Sequence, residues 1–453
     1  MSLVGVDSEE KVSYNHFEKV KEANGSITWK KTPKSMPTVE EIISLFKLPT
    51  ETVQSLPTEE KELWLRIKVE ESKQRAGRGN YIFATEPIIL VIERNNIFRD
   101  SFEQFRTTQE LDLRQEIKIN FVNEISQDAG GLIRDWFSII IEELFKPERH
   151  LFKKANTKEF AYLINEYSED YYKNHLEYYY FTGQVIAKAL YERNPIKAYL
   201  SKLIIKFLLN LEITIDDAKY CDEEVYKSFQ FILNNSISDE LAIGTFVSTK
   251  KDPKSGTDVI TELKENGNEI LINDTNKHEF CELFFKAQFI TCTLSQTKSL
   301  TEGFISLMPR DMITILDPDE LELLICGELT IDIEDWKGNT SYGKPYTEDH
   351  PVIKAFWYIV KQMSAKDREQ LLHFCTGSKK VPTEGFKGLR AANNKVSNFK
   401  INPRVTGDSN LGYIIAHTCF NTIELPMYTN FSTMKENLYE VLKSPENFQF
   451  TVE

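Results

Sequence analysis

The sequence predicts an α+β protein of more than one domain, and three observations carry that reading. Short runs rich in β-branched residues, such as Pro87–Ile92 and Ile117–Val122, read as strands. Longer stretches with apolar residues three and four apart, such as 132–145 and 171–193, read as helices. The length of 453 residues exceeds what one hydrophobic core organises, so two or three domains are expected.

Taken in order, residues 1–84 are polar and read as a helical extension that packs on the domain after it. Val39–Leu48 is one helical piece, with Thr38 as its cap. A second begins near Thr58, with Glu59 and Glu60 where the helix dipole favours acids and Leu63, Trp64 and Ile67 at helical spacing. From Glu86 the texture changes to strand, then Arg94–Phe102, then the second strand at Ile117–Val122. Gly130-Gly131 permits a tight turn from that strand into the helix 132–145, with Trp136, Ile139, Ile140 and Leu144 on one stripe. The pair is read as a scaffold turn, since an anion cradle calls for more glycines.

Asn194-Pro195 stops the aromatic helix 171–193. Residues 196–300 then read as a smaller subdomain. It contains a helix over 197–209 and a hairpin of 244–249 with 259–263. A helix over 276–285 carries Phe280 and Phe284 one turn apart, which reads either as an exposed pair suited to a groove or as two core rings. Asp317, Pro318 and Glu320 form a capping-box start, and Gly327 stops that helix with a left-handed cap. Residues 328–330 are too few for an element of their own, so 327–330, with Gly327 and Glu328, reads as a hinge between two bodies.

The formal net charge of −14 makes nucleic acid and anionic lipid poor partners. Six cysteines without a C-x-x-C pair argue against a zinc site and a dense disulfide framework, and point to a reducing compartment. No apolar run reaches the length of a membrane span, and no glycine-rich phosphate loop occurs. No cofactor and no metal is expected.

The chemistry concentrates in Ala416–Tyr428, A-H-T-C-F-N-T-I-E-L-P-M-Y. Read as an extended segment, it sets His417 and Cys419 on one face. That pair is either an inert core cysteine beside a packing histidine or a thiol favoured as thiolate by its neighbour.

This string resembles the active-site motif of HECT-type ubiquitin ligases. Further matches extend the resemblance over roughly 85–453: R-N-N-I-F-R-D-S-F at Arg94, D-A-G-G-L-I-R-D-W-F at Asp128, F-T-G-Q-V-I-A-K-A-L-Y at Phe181, N-K-H-E-F at Asn276 and E-L-E-L-L-I-C-G at Glu320. The resemblance implies a bilobal domain. A larger, mostly helical first lobe over 85–326 would hold the conjugating-enzyme groove in its 196–300 subdomain. After the hinge, a smaller α/β lobe over 331–453 would carry the cysteine. It also implies that Cys419 takes ubiquitin as a thioester from a conjugating enzyme and passes it to a substrate lysine. His417 and Thr418 would orient the site, and Glu424 would help the incoming lysine lose its proton. Phe450, fourth from the end, would anchor the tail between lobes. Ile243, Phe246, Phe280 and Phe284 would line the groove. Ubiquitin, a conjugating enzyme and protein substrates are the implied partners, in cytoplasm or nucleus, with no nucleic acid and no membrane segment.

Two departures stand out. Tyr413-Ile414-Ile415 replaces the family's usual Leu-Pro-Arg, so an arginine charge is missing, whereas Ile423-Glu424-Leu425-Pro426 keeps the acid of Leu-Asp-Leu-Pro. Two other classes fit the cysteine: a hydrolase with His417 as base, and a non-catalytic scaffold. Neighbours this close in sequence seldom reach the in-line geometry of a Cys–His pair, and the intact cysteine and terminal phenylalanine disfavour a scaffold.

Overall fold

The computed structural model describes residues 13–21, 27–35, 48–76, 87–124, 131–157, 160–237, 244–251, 256–327, 331–378, 381–382, 385–391, 396–404 and 414–443. Expectations for Val39–Leu48 (all but its last residue), Gly130, Ile243, Glu328 and Phe450 lie outside them. The fold is α+β: helices with small, mostly two-stranded sheets.

The chain opens with strands β1 (Ser13–Lys21) and β2 (Ile27–Ser35), paired antiparallel from Ser13↔Ser35 to Lys21↔Ile27. A wholly helical extension is therefore incorrect. The missed signal is Asn24-Gly25 between the two runs, the strongest short-range mark of a hairpin. Helix α1 (Thr58–Ala76) comes next, where the acids at Glu59 and Glu60 placed it.

Strand β3 (Ile88–Ile92), helix α2 (Ile97–Thr107) and strand β4 (Ile117–Phe121) form a parallel β-α-β unit. Its outer edge is blunted at Val91, whose N–H donates to Gln104 Oε1 at 2.9 Å. Helix α3 (Gly131–Leu144) buries Trp136, Ile140 and Leu144 completely. Helix α4 (His175–Tyr191) begins four residues later than the aromatic run. Strands β5 (Val247–Lys251) and β6 (Asp258–Glu262) form the expected hairpin, shifted to Val247↔Glu262 through Lys251↔Asp258. Helix α5 (Lys277–Phe285) starts after Asn276.

Helix α6 (Pro318–Cys326) has the capping box predicted for it, with Asp317 accepting from the Asp319 and Glu320 N–H groups and Glu320 reaching back to the Asp317 N–H. Gly327 ends it at φ 69, ψ −169, a positive φ but not the left-handed helical cap expected. A Cβ there would lie 2.6 Å from the Val381 carbonyl oxygen, so only glycine fits.

The last third contains strand β7 (Thr340–Tyr342), helices α7 (Pro351–Gln362) and α8 (Ala365–Thr376), strands β8 (Phe399–Arg404), β9 (Ile415–His417) and β10 (Thr422–Pro426), and helix α9 (Phe431–Lys443). Its sheet runs β9-β10-β8-β7, with β8 parallel to both neighbours and β9 antiparallel to β10. The core under that sheet is Trp336, Phe356, Trp357, Leu371, Phe399, Ile423 and Leu438, with Trp336 stacked on Phe386 at 4.7 Å.

The chain divides into two compact units. One comprises 1–144, 185–198 and 306–453; the other comprises 145–184 and 199–305. Within the first, α1 is bonded into the body. Lys61 Nζ donates to Glu320 Oε2 at 2.9 Å with both side chains buried, and Lys73 reaches Glu192 at 3.0 Å. Glu192 also holds the fully buried Lys188. Burial would raise the Glu192 carboxyl, but Lys188 and Lys73 outweigh that and lower it.

The core of the second unit includes Phe229, Phe246, Phe280 and Phe285. Phe246 is fully buried and Phe280 is 8% exposed, edge to face at 5.5 Å. Neither ring is presented to a partner, which corrects the expectation that Phe246 and Phe280 line the groove. Their burial is what an amphipathic helix on a small sheet requires. Phe284 packs at the margin of this core, partly exposed.

Candidate active site

Cys419 sits at the tip of the β9–β10 hairpin. β9 ends at His417, and Thr418–Phe420 make one 3₁₀ turn. Asn421 then takes φ 51, ψ 43, the left-handed conformation that asparagine tolerates, before β10 begins. Alternation therefore stops one residue short of the thiol, and the extended reading that put His417 and Cys419 on one face is corrected by the tight turn.

His417 is turned elsewhere. It pairs in register with Thr422, so Glu424 lies diagonally across the hairpin on the same face. His417 Nε2 is 3.2 Å from Glu424 Oε1, with both side chains about a quarter exposed. Thr418 is buried and Cys419 is half-exposed, while Phe420 is 58% exposed, leaving an apolar ring on the surface beside the thiol. Of the six cysteines, all free, only Cys419 and Cys292 are not buried.

The underside of the turn is held by helix α3. Residues 131, 134, 135 and 138 share one helical face. A Cβ on Gly131 would lie 2.4 Å from Thr418 Oγ1, so the glycine makes room for the turn. One turn further on, Arg134 donates from Nη2 to the Thr418 carbonyl at 2.7 Å. Its Nη1 donates to Asn421 Oδ1 at 3.1 Å and to the Arg390 carbonyl at 2.9 Å. Asn421, fully buried, donates from Nδ2 to the carbonyls of Arg390 and Ser397. Burial lowers the Arg134 guanidinium to about 10, and the nearby Cys419 sulfur opposes that shift. The arginine stays protonated at neutral pH and sets a positive charge near Cys419.

Next along the same face, Asp135 accepts from Arg94 Nη1 at 2.6 Å and lies 3.4 Å from His373 Nε2. Burial would raise its carboxyl, but His373 and Arg94 together lower it. Arg94 also pairs with Glu124. Sequence reasoning finds Arg134 and Asp135 only as part of a scaffold turn, and passes over Asn421. The available signal is the glycine–arginine spacing of three, which puts a small residue and a fork donor on one helix face.

Among the described residues no cluster of three or more His, Cys, Asp and Glu side chains is arranged to hold a metal. Among them, too, no helix is long and apolar enough to cross a membrane.

Residues 138–451 match the family model described as HECT-domain (ubiquitin-transferase). The chain is 34% identical over 364 residues to a TOM1-like E3 ubiquitin-protein ligase of Neurospora crassa, across 80% of this chain and 9% of that protein. It is 33% identical over 353 residues to the E3 ubiquitin-protein ligase RSP5 of Saccharomyces cerevisiae, across 77% of this chain and 42% of that one. It is 33% identical over 360 residues to the E3 ubiquitin-protein ligase NEDD4 of Mus musculus, across 79% and 40%. The matched region thus spans less than half the length of each of these relatives.

Proposed function

The chain belongs to the HECT family of ubiquitin transferases, and from that premise we propose that it is a ubiquitin-protein ligase that carries ubiquitin as a thioester on Cys419. The observation that carries the reading is the placement of Cys419: half-exposed on a tight turn, beside an exposed phenylalanine, with an arginine fixing the turn from below.

The reaction comprises two displacements. In loading, the Cys419 thiolate attacks the carbonyl carbon of the conjugating enzyme's thioester. A C–S bond to Cys419 forms, the donor C–S bond breaks, and the donor cysteine leaves as thiolate. In discharge, a lysine amine attacks the Cys419 thioester. The C–N bond forms, Cys419 leaves as thiolate, and the proton of the new ammonium passes to a base. Glu424 serves as that base, with His417 fixing its carboxylate from across the hairpin.

We assign 85–326 to a first lobe, 327–330 to a hinge and 331–453 to a second lobe. The conjugating enzyme docks on the 196–300 subdomain, with Phe284 the groove ring that its partial exposure supports. Phe450 anchors the tail during discharge. The six free thiols suit a reducing compartment, so the cytoplasm is its place.

The test is incubation with activating enzyme, conjugating enzyme and ubiquitin, followed by non-reducing electrophoresis. A ubiquitin adduct that disappears with thiol reductant supports the reading. Its absence with every conjugating enzyme tried removes it.

A further inference from the structure

One side of helix α8 is bonded to two separate elements of the first unit. Glu369 and His373 are four residues apart, on one helix face. Glu369 forms an ion pair with Lys197, which lies beyond the end of α4. His373 Nε2 is 3.4 Å from Asp135 on α3, with side chains 14% and 5% exposed. At the end of α8, a Cβ on Gly377 would come within 3.0 Å of the Gly131 carbonyl, and Ser138 Oγ donates to the Gly377 carbonyl at 3.5 Å. The side of α3 that receives this helix is the one on which Gly131 and Arg134 receive the Cys419 turn.

We propose that Lys197–Glu369 and His373–Asp135 form a latch that docks α8, and with it the Cys419 turn, onto α3 and Arg134, and that the latched arrangement serves the discharge of ubiquitin to lysine. Glu369 and His373 are positioning residues, since neither touches the reacting atoms. The assignment to one half-reaction rests on where charge appears. In loading, Cys419 begins as a thiolate and ends neutral. In discharge, it begins as a neutral thioester and leaves as a thiolate. A fixed guanidinium near the sulfur favours the state in which the sulfur is charged, so it assists the step in which that charge develops. The latch brings Arg134 to the turn and matters for discharge above loading.

This rests on the ligase reading, and the test separates the two. Glu369→Lys and Lys197→Glu are made singly and together in the full chain. Loading and discharge are measured in single turnovers, with free lysine as acceptor in discharge. Hydrogen exchange is monitored over 131–138 and 415–422 without ubiquitin. Each single variant should slow discharge about fivefold, the factor a partly exposed ion pair supports, leave loading within about twofold, and speed exchange in both segments. The double swap should restore all three. His373→Ala should behave like the singles and His373→Gln, which keeps a donor, should recover part of the rate. Unchanged discharge in the singles, equal loss in loading, or no recovery in the swap overturns the proposal. If the wild-type chain takes no ubiquitin, the ligase reading and the discharge role fall together. The exchange data then show whether the docking contact exists.

Discussion

The Arg134 guanidinium donates to the Thr418 carbonyl at 2.7 Å, directly before Cys419 in the chain, across 284 residues of sequence. That bond fixes the turn rather than the thiol. It leaves Cys419 half-exposed on the outer side while Thr418 and Asn421 are buried beneath it. A cation is thereby held near the sulfur.

Arg134→Lys tests this arrangement. A lysine keeps the charge but loses the planar fork that reaches Thr418, Asn421 and Arg390 together. Discharge from Cys419 should slow about tenfold, because the turn that presents the thiol loses the fork that fixes its position. Single-turnover discharge measures it. A rate equal to wild type would remove Arg134 from the site.

Gly131→Ala should weaken the same contact. The added methyl meets Thr418 Oγ1 at 2.4 Å and Thr418 Cβ at 3.2 Å. Overpacking of this kind destabilises by roughly 1–3 kcal/mol, read as a lower thermal midpoint. Thr418→Ala in the same chain removes the Oγ1 that the added methyl strikes and should recover part of the loss.

Much of the framework was legible because its causes are local. The capping box at Asp317 and Glu320, the hairpin at 247–262 and the two strands at 88–92 and 117–121, though not their parallel pairing, each arise from a few adjacent residues. Cys419 itself was legible from its motif. The setting around it was not. The Arg134, Asp135 and Gly131 contacts join segments far apart in the chain, and nothing in the spacing of either partner states the pairing. Pairing His417 with Cys419 supposes that alternation continues, but a 3₁₀ turn and a left-handed Asn421 break it. Phe280 stays open between groove and core in the sequence because periodicity marks an apolar face without saying what covers it; the Phe246 ring covers it.

Phe280→Ala should therefore act on stability. Emptying a buried aromatic site costs roughly 3–5 kcal/mol, seen as a lower denaturant midpoint. Phe284→Ala, at the margin of that core, should unfold near wild type and weaken affinity for the conjugating enzyme. Equal destabilisation by the two would place both rings in the core and remove Phe284 from the groove.

Glu320→Ala should be among the most damaging changes far from the thiol. It removes the capping-box acceptor and leaves Lys61 as a buried charge without its carboxylate. Breaking a buried pair from one side costs about 3–5 kcal/mol. Replacing both partners, with Lys61→Met and Glu320→Gln, should be milder, because no isolated charge remains. A double variant as unstable as Glu320→Ala would show that the ion pair is not the cause.

In the proposed reaction the Cys419 sulfur carries ubiquitin covalently, and intact-mass spectrometry of the Cys419→Ser chain tests this. After incubation with activating enzyme, conjugating enzyme and ubiquitin, the wild-type chain should gain the mass of one ubiquitin, less one water, in a form released by thiol. The serine chain should gain the same mass in a form that resists thiol and is released by mild base, as an oxygen ester is. A thiol-labile ubiquitin adduct that persists on the serine chain would mean that another cysteine is the carrier, and would contradict the account.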